Sequence, residues 1–163
     1  MKSVSSIPSK IFSPHELQLQ LKRWRLKNSR IVFTNGVFDI LHEGHIASLS
    51  EAASFGHILI VGVNADASVK RLKGESRPVN NERSRALLLA ALVITDAVVV
   101  FEEDTPEKLI NSIMPDVLVK GGDYTLDQIV GADTVIANGG EVRIVPLLEG
   151  FSTTGIIEKM KRL

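Results

Sequence analysis

The amino-acid sequence predicts an α/β protein with one parallel β-sheet of about five strands and helices on both faces. Short runs of β-branched and other apolar residues, such as Ile31–Phe33, end in turn-forming residues, which is typical of strands buried on both faces. These runs alternate with segments whose apolar residues recur at helical spacing. Alternating strands and helices favour a parallel, doubly wound, Rossmann-like sheet. The length of 163 residues suits one domain.

The first element after the N-terminus is a predicted helix. Residues 1–13 are rich in Ser and Lys and have no periodicity, so we expect a flexible leader ahead of a single domain at 14–163. Ser13 is a good N-cap, Pro14 suits the first helical position, and Glu16 completes a capping box.

The remaining elements follow in regular alternation. The predicted strands are Arg30–Phe33, Ile58–Val63, Ala97–Phe101, Asp116–Lys120 and Val142–Leu147. The first helix is predicted to end near Lys27, and the later ones are Ile46–Phe55, Glu82–Val93, Thr105–Met114, Ala132–Ala137 and Thr154–Lys161. Ligands of doubly wound sheets bind where the strand order reverses, at the carboxyl ends of the strands. Candidate functional residues are therefore expected directly after the strands.

Composition excludes several classes of function. The sequence contains no Cys, which excludes disulfides, cysteine zinc sites and a thiol nucleophile. Lys plus Arg and Asp plus Glu both number 19, and this balance argues against a general binder of nucleic acids or anionic membranes. Neither a membrane-spanning run nor a signal peptide is evident, so we expect a cytoplasmic protein.

Two histidines follow the first predicted strand in the run His42-Glu43-Gly44-His45. If a helix begins at His45, both rings project over its N-terminus, where free N–H groups and the helix dipole favour phosphate. A pair of capping or surface histidines is the plain alternative. A metal pair is less favoured, because His-Glu-x-x-His spacing is absent. The glycine motifs of dinucleotide and P-loop folds are absent as well.

Positive charge collects between Lys70 and Arg85, where six cations face two acids along the sequence. A solvated loop would explain a charge run. Because this run follows the carboxyl end of a strand, however, it also suits a polyphosphate.

Two further segments follow predicted strands. Lys120 ends an otherwise apolar strand and precedes Gly121-Gly122, a pair that is either a plain turn or a close approach to a planar ligand. Ser152 and Thr153 precede the last helix and are either ordinary N-caps or phosphate ligands. A second phosphate-compatible helix start favours a ligand with several phosphates.

These motifs resemble the nucleotidyltransferase superfamily of the His-x-Gly-His type, which includes cytidylyltransferases and pantetheine-phosphate adenylyltransferases. Within it, the chain is most similar to the heptose 1-phosphate adenylyltransferases of bacterial ADP-heptose synthesis, from about Lys10 to the end. The resemblance is carried by Ile31–Asp39, His42–His45, Arg71–Asn80, Phe101–Pro106, Leu118–Tyr124, Ala137–Val142 and Phe151–Thr154.

The resemblance implies transfer of AMP from ATP, with Mg²⁺, to D-glycero-β-D-manno-heptose 1-phosphate. It implies catalytic roles for His42, His45 and Lys73. Nucleotide contacts are implied for Thr34, Asn35, Gly36, Phe38, Gly44, Lys120, Gly121, Gly122, Asp123, Ser152, Thr153 and Thr154, with Lys120 and Gly121 beside the base and ribose. Asp39, Arg77 and Arg85 are weaker candidates for substrate contacts, and no metal ligand is assigned.

Two alternatives stay open at this point: a cytidylyltransferase acting on glycerol 3-phosphate or another small phosphate, and a nucleotide-binding protein without catalysis. Glycerol-3-phosphate cytidylyltransferases carry Arg-Thr where this chain has Leu147-Leu148, which counts against that substrate. The expected partners are the small-molecule substrates, a second copy in a homodimer or larger homo-oligomer, and a separate sugar kinase in the same pathway. Neither a nucleic acid nor a membrane is expected as a partner.

Overall fold

The computed structural model describes residues 4–162 and contains one five-stranded parallel sheet. The strands are β1 (Ile31–Gly36), β2 (Ile58–Asn64), β3 (Ala97–Phe101), β4 (Val117–Gly121) and β5 (Glu141–Val145). The helices are α1 (Pro14–Leu26), α2 (Glu43–Ser54), α3 (Asp66–Lys73), α4 (Glu82–Ala90), α5 (Glu107–Ile113), α6 (Ala132–Ala137) and α7 (Thr153–Met160).

The strand order is β3-β2-β1-β4-β5, so the sheet winds outward in both directions from β1. On one side of β1, Thr34 pairs with Val61 of β2, and on the other side it pairs with Val119 of β4. The order therefore reverses between β1 and β4, and the carboxyl ends of these two strands mark the switch point where ligands bind in such sheets. The predicted doubly wound α/β fold is confirmed.

The core lies on both faces of the sheet, which explains why the strands are continuously apolar. On one face, Phe33 packs in a cluster with Leu17 and Leu21 of α1. On the other face, its neighbour Val32 packs in a cluster with Leu49 of α2. Among residues 4–162, no helix combines the length and apolar character that a membrane crossing requires.

Two predicted helices have one end displaced by three residues, and a third helix was not predicted. Helix α2 begins at Glu43 rather than Ile46, because His42 has the extended backbone of an N-cap. Helix α4 ends at Ala90, three residues before the predicted end at Val93. Helix α3 was not predicted, since its buried residues are only Ser68 and Val69, too few to give a helical pattern among charged neighbours.

The segment expected to be a flexible leader is partly held by the sheet. Short 3₁₀ turns form at Val4–Ser6 and Pro8–Lys10, and Ile11 makes a parallel bridge to Val98 of β3. Phe12 N–H donates to the carbonyl of Val98 at 2.9 Å. Ile11 and Phe12 are therefore bound to the edge of β3, which offers free hydrogen-bonding groups. Residues 1–3 lie outside the described part of the chain.

Candidate active site

Two adjoining cavities open at the carboxyl ends of β1 and β4. The first, of about 190 Å³, is lined by Thr34, Asn35, Gly36, Val37, Phe38, His45, Ser48, Leu49, Lys120, Gly121, Tyr124, Val145 and Leu147. The second, of about 300 Å³, is lined by His42, Gly44, His45, Ser48, Lys73, Leu147, Leu148, Phe151, Ser152, Thr153 and Thr154. Because His45, Ser48 and Leu147 line both, they form the boundary between the two spaces.

The two histidines stand at the start of α2 and stack against each other. Their ring centroids are 3.8 Å apart and the ring planes are inclined by 21°. Phe38 packs edge-on against His45 at 5.3 Å, while Phe151 lies 6.3 Å from His42. Gly44 makes this packing possible, since a Cβ there would lie 3.1 Å from both the His42 Nδ1 and the Phe151 Cβ.

Both histidines are held in the neutral form. Burial, followed by the charges of His42 and Lys73, lowers the pKa of His45 from 6.5 to about 4. Burial also lowers the pKa of His42. In the described part of the chain, the buried Nδ1 atoms of both rings have no hydrogen-bond partner.

Groups that favour an anion surround the second cavity. Its lining includes Lys73, the last residue of α3, whose positive charge also acts on His45. In the described structure no side chain caps the N-terminus of α2, so its first N–H groups remain open to a ligand. At the N-terminus of α7, Ser152 accepts a hydrogen bond from the Gly155 N–H at 3.0 Å. Phosphate binds well to such helix starts.

Only part of the predicted cation cluster faces this space. Arg71 is bound by Asp104 and the Glu102 carbonyl, and Lys70 lies 3.7 Å from Glu75. Within the cluster from Lys70 to Arg85, Lys73 is the one cation that lines the second cavity. Most charges of the cluster are therefore directed to carboxylates and carbonyls of the protein, and Lys73 is the member placed beside the second cavity.

Asp39 is buried and organises the loop that precedes α4. Its carboxylate accepts hydrogen bonds from Arg77 Nε at 2.7 Å and from the N–H groups of Val79 and Asn80 at 2.9 and 2.8 Å. Burial by itself raises the pKa of Asp39, but these hydrogen bonds and the charge of Arg77 outweigh it and lower the pKa. The geometry gives Asp39 and Arg77 a structural role, and neither lines the two cavities.

Arg85 is fully buried and joins four segments around the site. Its guanidinium donates to the carbonyls of Val37, Asn64 and Asn80 and to the carboxylate of Asp66, at 2.7–2.9 Å. A contact of Arg85 with substrate would require these bonds to break, so the placement does not support the predicted role.

Lys120 and its neighbours lie at the end of β4. The Lys120 Nζ is 5.5 Å from the centre of the Tyr124 ring, and burial lowers the pKa of this lysine. Gly122 has φ of +121°, a conformation that favours glycine. Asp123 is exposed and lines neither cavity, so the structure does not bring it together with the other candidates.

The sequence and the fold also resemble those of known proteins. The family model described as Cytidylyltransferase-like matches residues 33–159, which includes both cavities and the switch point. The chain belongs to the cytidylyltransferase-like family. This membership confirms the prediction of a nucleotidyltransferase.

Curated relatives of this cytidylyltransferase-like chain carry the name Bifunctional protein HldE. The protein of Rhodopseudomonas palustris (strain HaA2) is 58% identical over 151 residues, or 93% of this chain and 31% of that protein. The protein of Koribacter versatilis (strain Ellin345) is 52% identical over 158 residues, or 97% of this chain and 32% of that protein. The chain thus spans about a third of the length of these relatives.

Two solved structures resemble the fold. The crystal structure of the lipopolysaccharide core biosynthesis protein from Thermoplasma volcanium GSS1 is 32% identical with a TM-score of 0.59, and the match covers 74% of this chain and 97% of that one. Pantoate-beta-alanine ligase from Francisella tularensis has a TM-score of 0.62 at 14% identity and covers 94% of this chain and 78% of that one. The second likeness shows the fold alone.

Of the three residues that line both cavities of this cytidylyltransferase-like site, sequence reasoning missed two. Ser48 lines both cavities and lies one helical turn after His45, so the spacing of three residues on α2 was a usable signal. Leu147 lines both cavities as well. The sequence predicted it as the end of the last strand, but β5 ends at Val145 and Leu147 lies in the loop that follows.

Proposed function

We propose that the chain transfers AMP from ATP to D-glycero-β-D-manno-heptose 1-phosphate and releases pyrophosphate and ADP-heptose. The observation that carries the proposal is the neutral histidine pair at the boundary of two cavities, one of which has a lysine and two helix N-termini. Identities of 52–58% to HldE proteins support the branch that the motifs resemble.

The reaction forms one bond and breaks one bond at phosphorus. A phosphate oxygen of the acceptor attacks the α-phosphorus of ATP, and the bond between the α-phosphorus and the oxygen bridging to the β-phosphorus breaks. Pyrophosphate leaves with that oxygen and its electron pair. In such transfers the protein contributes positioning and stabilisation of charge on the phosphoryl oxygens, and no side-chain nucleophile is needed.

The residues of the second cavity suit the leaving pyrophosphate. Ring N–H groups of the neutral His42 and His45 donate hydrogen bonds to phosphoryl oxygens as negative charge grows there. Lys73 neutralises charge on the same phosphates, while Ser152, Thr153 and the N-terminus of α7 hold the departing group. The backbone of Asn35 and Gly36, at the end of β1, borders the α-phosphate from the first cavity.

Mg²⁺ enters this proposal with the nucleotide. Among residues 4–162, no three His, Asp or Glu side chains converge as a metal site. Magnesium typically keeps several water ligands and binds through substrate phosphates, so it suits a complex with the triphosphate that this cavity receives.

Release of pyrophosphate tests the function directly. The purified chain is incubated with ATP or CTP and with heptose 1-phosphate, glycerol 3-phosphate or other sugar 1-phosphates. We expect release with ATP and the heptose 1-phosphate. Release only with CTP and glycerol 3-phosphate would replace the proposed substrates, and tight ATP binding without turnover on any acceptor would favour a non-catalytic nucleotide-binding protein.

The proposed acceptor also implies which reactions precede and follow this one, and where in the cell it takes place. A sugar 1-phosphate must be supplied by a phosphorylating enzyme, so we propose a sugar kinase in the same pathway, with ADP-heptose passing to lipopolysaccharide core synthesis. The use of ATP and a phosphorylated sugar fits a location in the cytoplasm.

A further inference from the structure

We infer that Lys120 binds the phosphate of the acceptor, across His45 from the leaving pyrophosphate. This inference rests on the proposed nucleotidyl transfer and departs from the placement of Lys120 beside the base and ribose. Its first basis is the direction of the reaction. The attacking and leaving oxygens lie roughly in line on opposite sides of the phosphorus. With pyrophosphate in the second cavity and His45 at the boundary, the acceptor phosphate belongs in the first cavity.

The second basis is a count of the cations near the site. An acceptor phosphate brings negative charge and needs a positive partner in the first cavity. Arg77 and Arg85 are bound by protein oxygens, and Lys73 lines the second cavity. In the described part of the chain, Lys120 is the cation that lines the first cavity.

The third basis is that no described residue forms an ion pair or a hydrogen bond with this ammonium. In residues 4–162, no carboxylate or hydrogen-bonding oxygen is bound to the Lys120 Nζ, and its contact is the ring of Tyr124. Burial of an unpaired charge is unfavourable, and the lowered pKa of Lys120 has that cause. A bound phosphate would supply the missing partner and favour the charged form.

The rest of β4 shows that the fold itself does not require a cation here. Val117, Leu118 and Val119 are apolar and buried, and Lys120 pairs in register with Ile144 of β5. An uncharged side chain would be less costly at this position. An ammonium also binds a neutral base or ribose more weakly than it binds a phosphate, because hydrogen bonds between charged partners are stronger.

The test compares Lys120→Met with the unchanged chain and with Lys22→Met, a control at an exposed position of α1. For Lys120→Met we expect the KM for heptose 1-phosphate to rise about 10–100-fold, since a hydrogen bond between charged groups is lost. We expect the KM and Kd for ATP to change by less than about twofold. Without ligands, Lys120→Met should unfold at the same temperature as the unchanged chain or above it, because it no longer buries an ammonium.

The results of this test distinguish failure of the inference about Lys120 from failure of the proposed function. A higher KM for ATP with an unchanged KM for the acceptor would assign Lys120 to the nucleotide and overturn the inference. Unchanged KM values for both substrates would overturn it too. If the unchanged chain uses glycerol 3-phosphate instead of the heptose, the proposed substrate is wrong, and the same comparison is made with that phosphate. If it uses no acceptor, the proposed function and the inference both fall.

Discussion

At the residue level, the stacked imidazoles of His42 and His45 are the feature with the clearest chemical consequence. Two cationic rings 3.8 Å apart would repel each other, and both are partly shielded from water. The neutral state avoids that cost and still leaves each ring one N–H donor. His42 and His45 can then donate hydrogen bonds to phosphate oxygens in the second cavity without first binding a proton.

A titration of His45 followed by NMR tests this state. We expect its midpoint near pH 4 without ligand, well below 6.5. Because the unfolded chain takes up this proton first, the stability due to neutral His45 is present above about pH 6.5 and decreases as the pH falls toward 4. Addition of ATP should move the midpoint upward. A midpoint near 6.5 in the free chain would contradict the burial argument.

Replacement of His45 tests its role in turnover. We expect His45→Ala to fold and to lower turnover about 10²–10³-fold, the usual effect of losing one preorganised donor. His15→Ala changes an exposed histidine on α1 and serves as the control for the same assay. Near-normal pyrophosphate release by His45→Ala would remove His45 from the mechanism.

Asp39 offers a prediction about stability. Asp39→Ala leaves the side chain of Arg77, only 12% exposed, without its carboxylate. Loss of one partner from a buried pair typically costs about 3–5 kcal/mol in the free energy of unfolding, which urea denaturation measures. Asp127→Ala, at an exposed carboxylate, should change it little. A loss of less than about 1 kcal/mol for Asp39→Ala would show that the loop does not depend on this carboxylate.

At the level of elements, local patterns were reliable where a few neighbouring residues determine the outcome. The capping box of Ser13 and Glu16 forms as predicted, and β3 and α6 have the predicted ends. Helix α3 escaped prediction because hydrogen bonds of Ser68 and Arg71 to the loop after β3, rather than a periodic apolar face, hold its short charged sequence in place. Segments of that kind depend on contacts that are distant in the chain.

The attachment of the N-terminal segment through Lys10 should contribute to the free energy of unfolding. The Lys10 ammonium donates to the carbonyls of Leu92 and Thr95 at 3.2 and 2.7 Å. We expect Lys10→Met to lower the free energy of unfolding by about 1–3 kcal/mol, since hydrogen bonds from a charged donor are lost. Lys22→Met, which changes an exposed lysine, is the matched control. Equal stability of both variants would show that the attachment contributes nothing.

At the level of the whole molecule, the site exists only because the strand order reverses between β1 and β4. This topology brings the end of β1, the start of α2, the end of α3, the end of β4 and the start of α7 to one edge of the sheet. Their residues are separated by most of the chain. The fold class predicts the edge, and the packing decides which side chains face the ligand.

The number of chains in the assembly is also a prediction about the whole molecule. We expect a homodimer, as the resemblance implies. Sedimentation equilibrium should then give twice the chain mass of 17.8 kDa. A single species at the chain mass, over the concentrations used in the enzyme assay, would contradict it.

The sequence by itself determined the fold class, the strand positions and the histidine motif, because burial patterns and capping act between near neighbours along the chain. It indicated one basic cluster from Lys70 to Arg85, and only the tertiary structure separated its members. Arg77 and Arg85 are bound by carboxylates from other segments, while Lys73 lines the second cavity. Lys120, which lies outside the cluster, lines the first cavity. Charge pairs are formed through space, so their partners are decided when distant segments pack together.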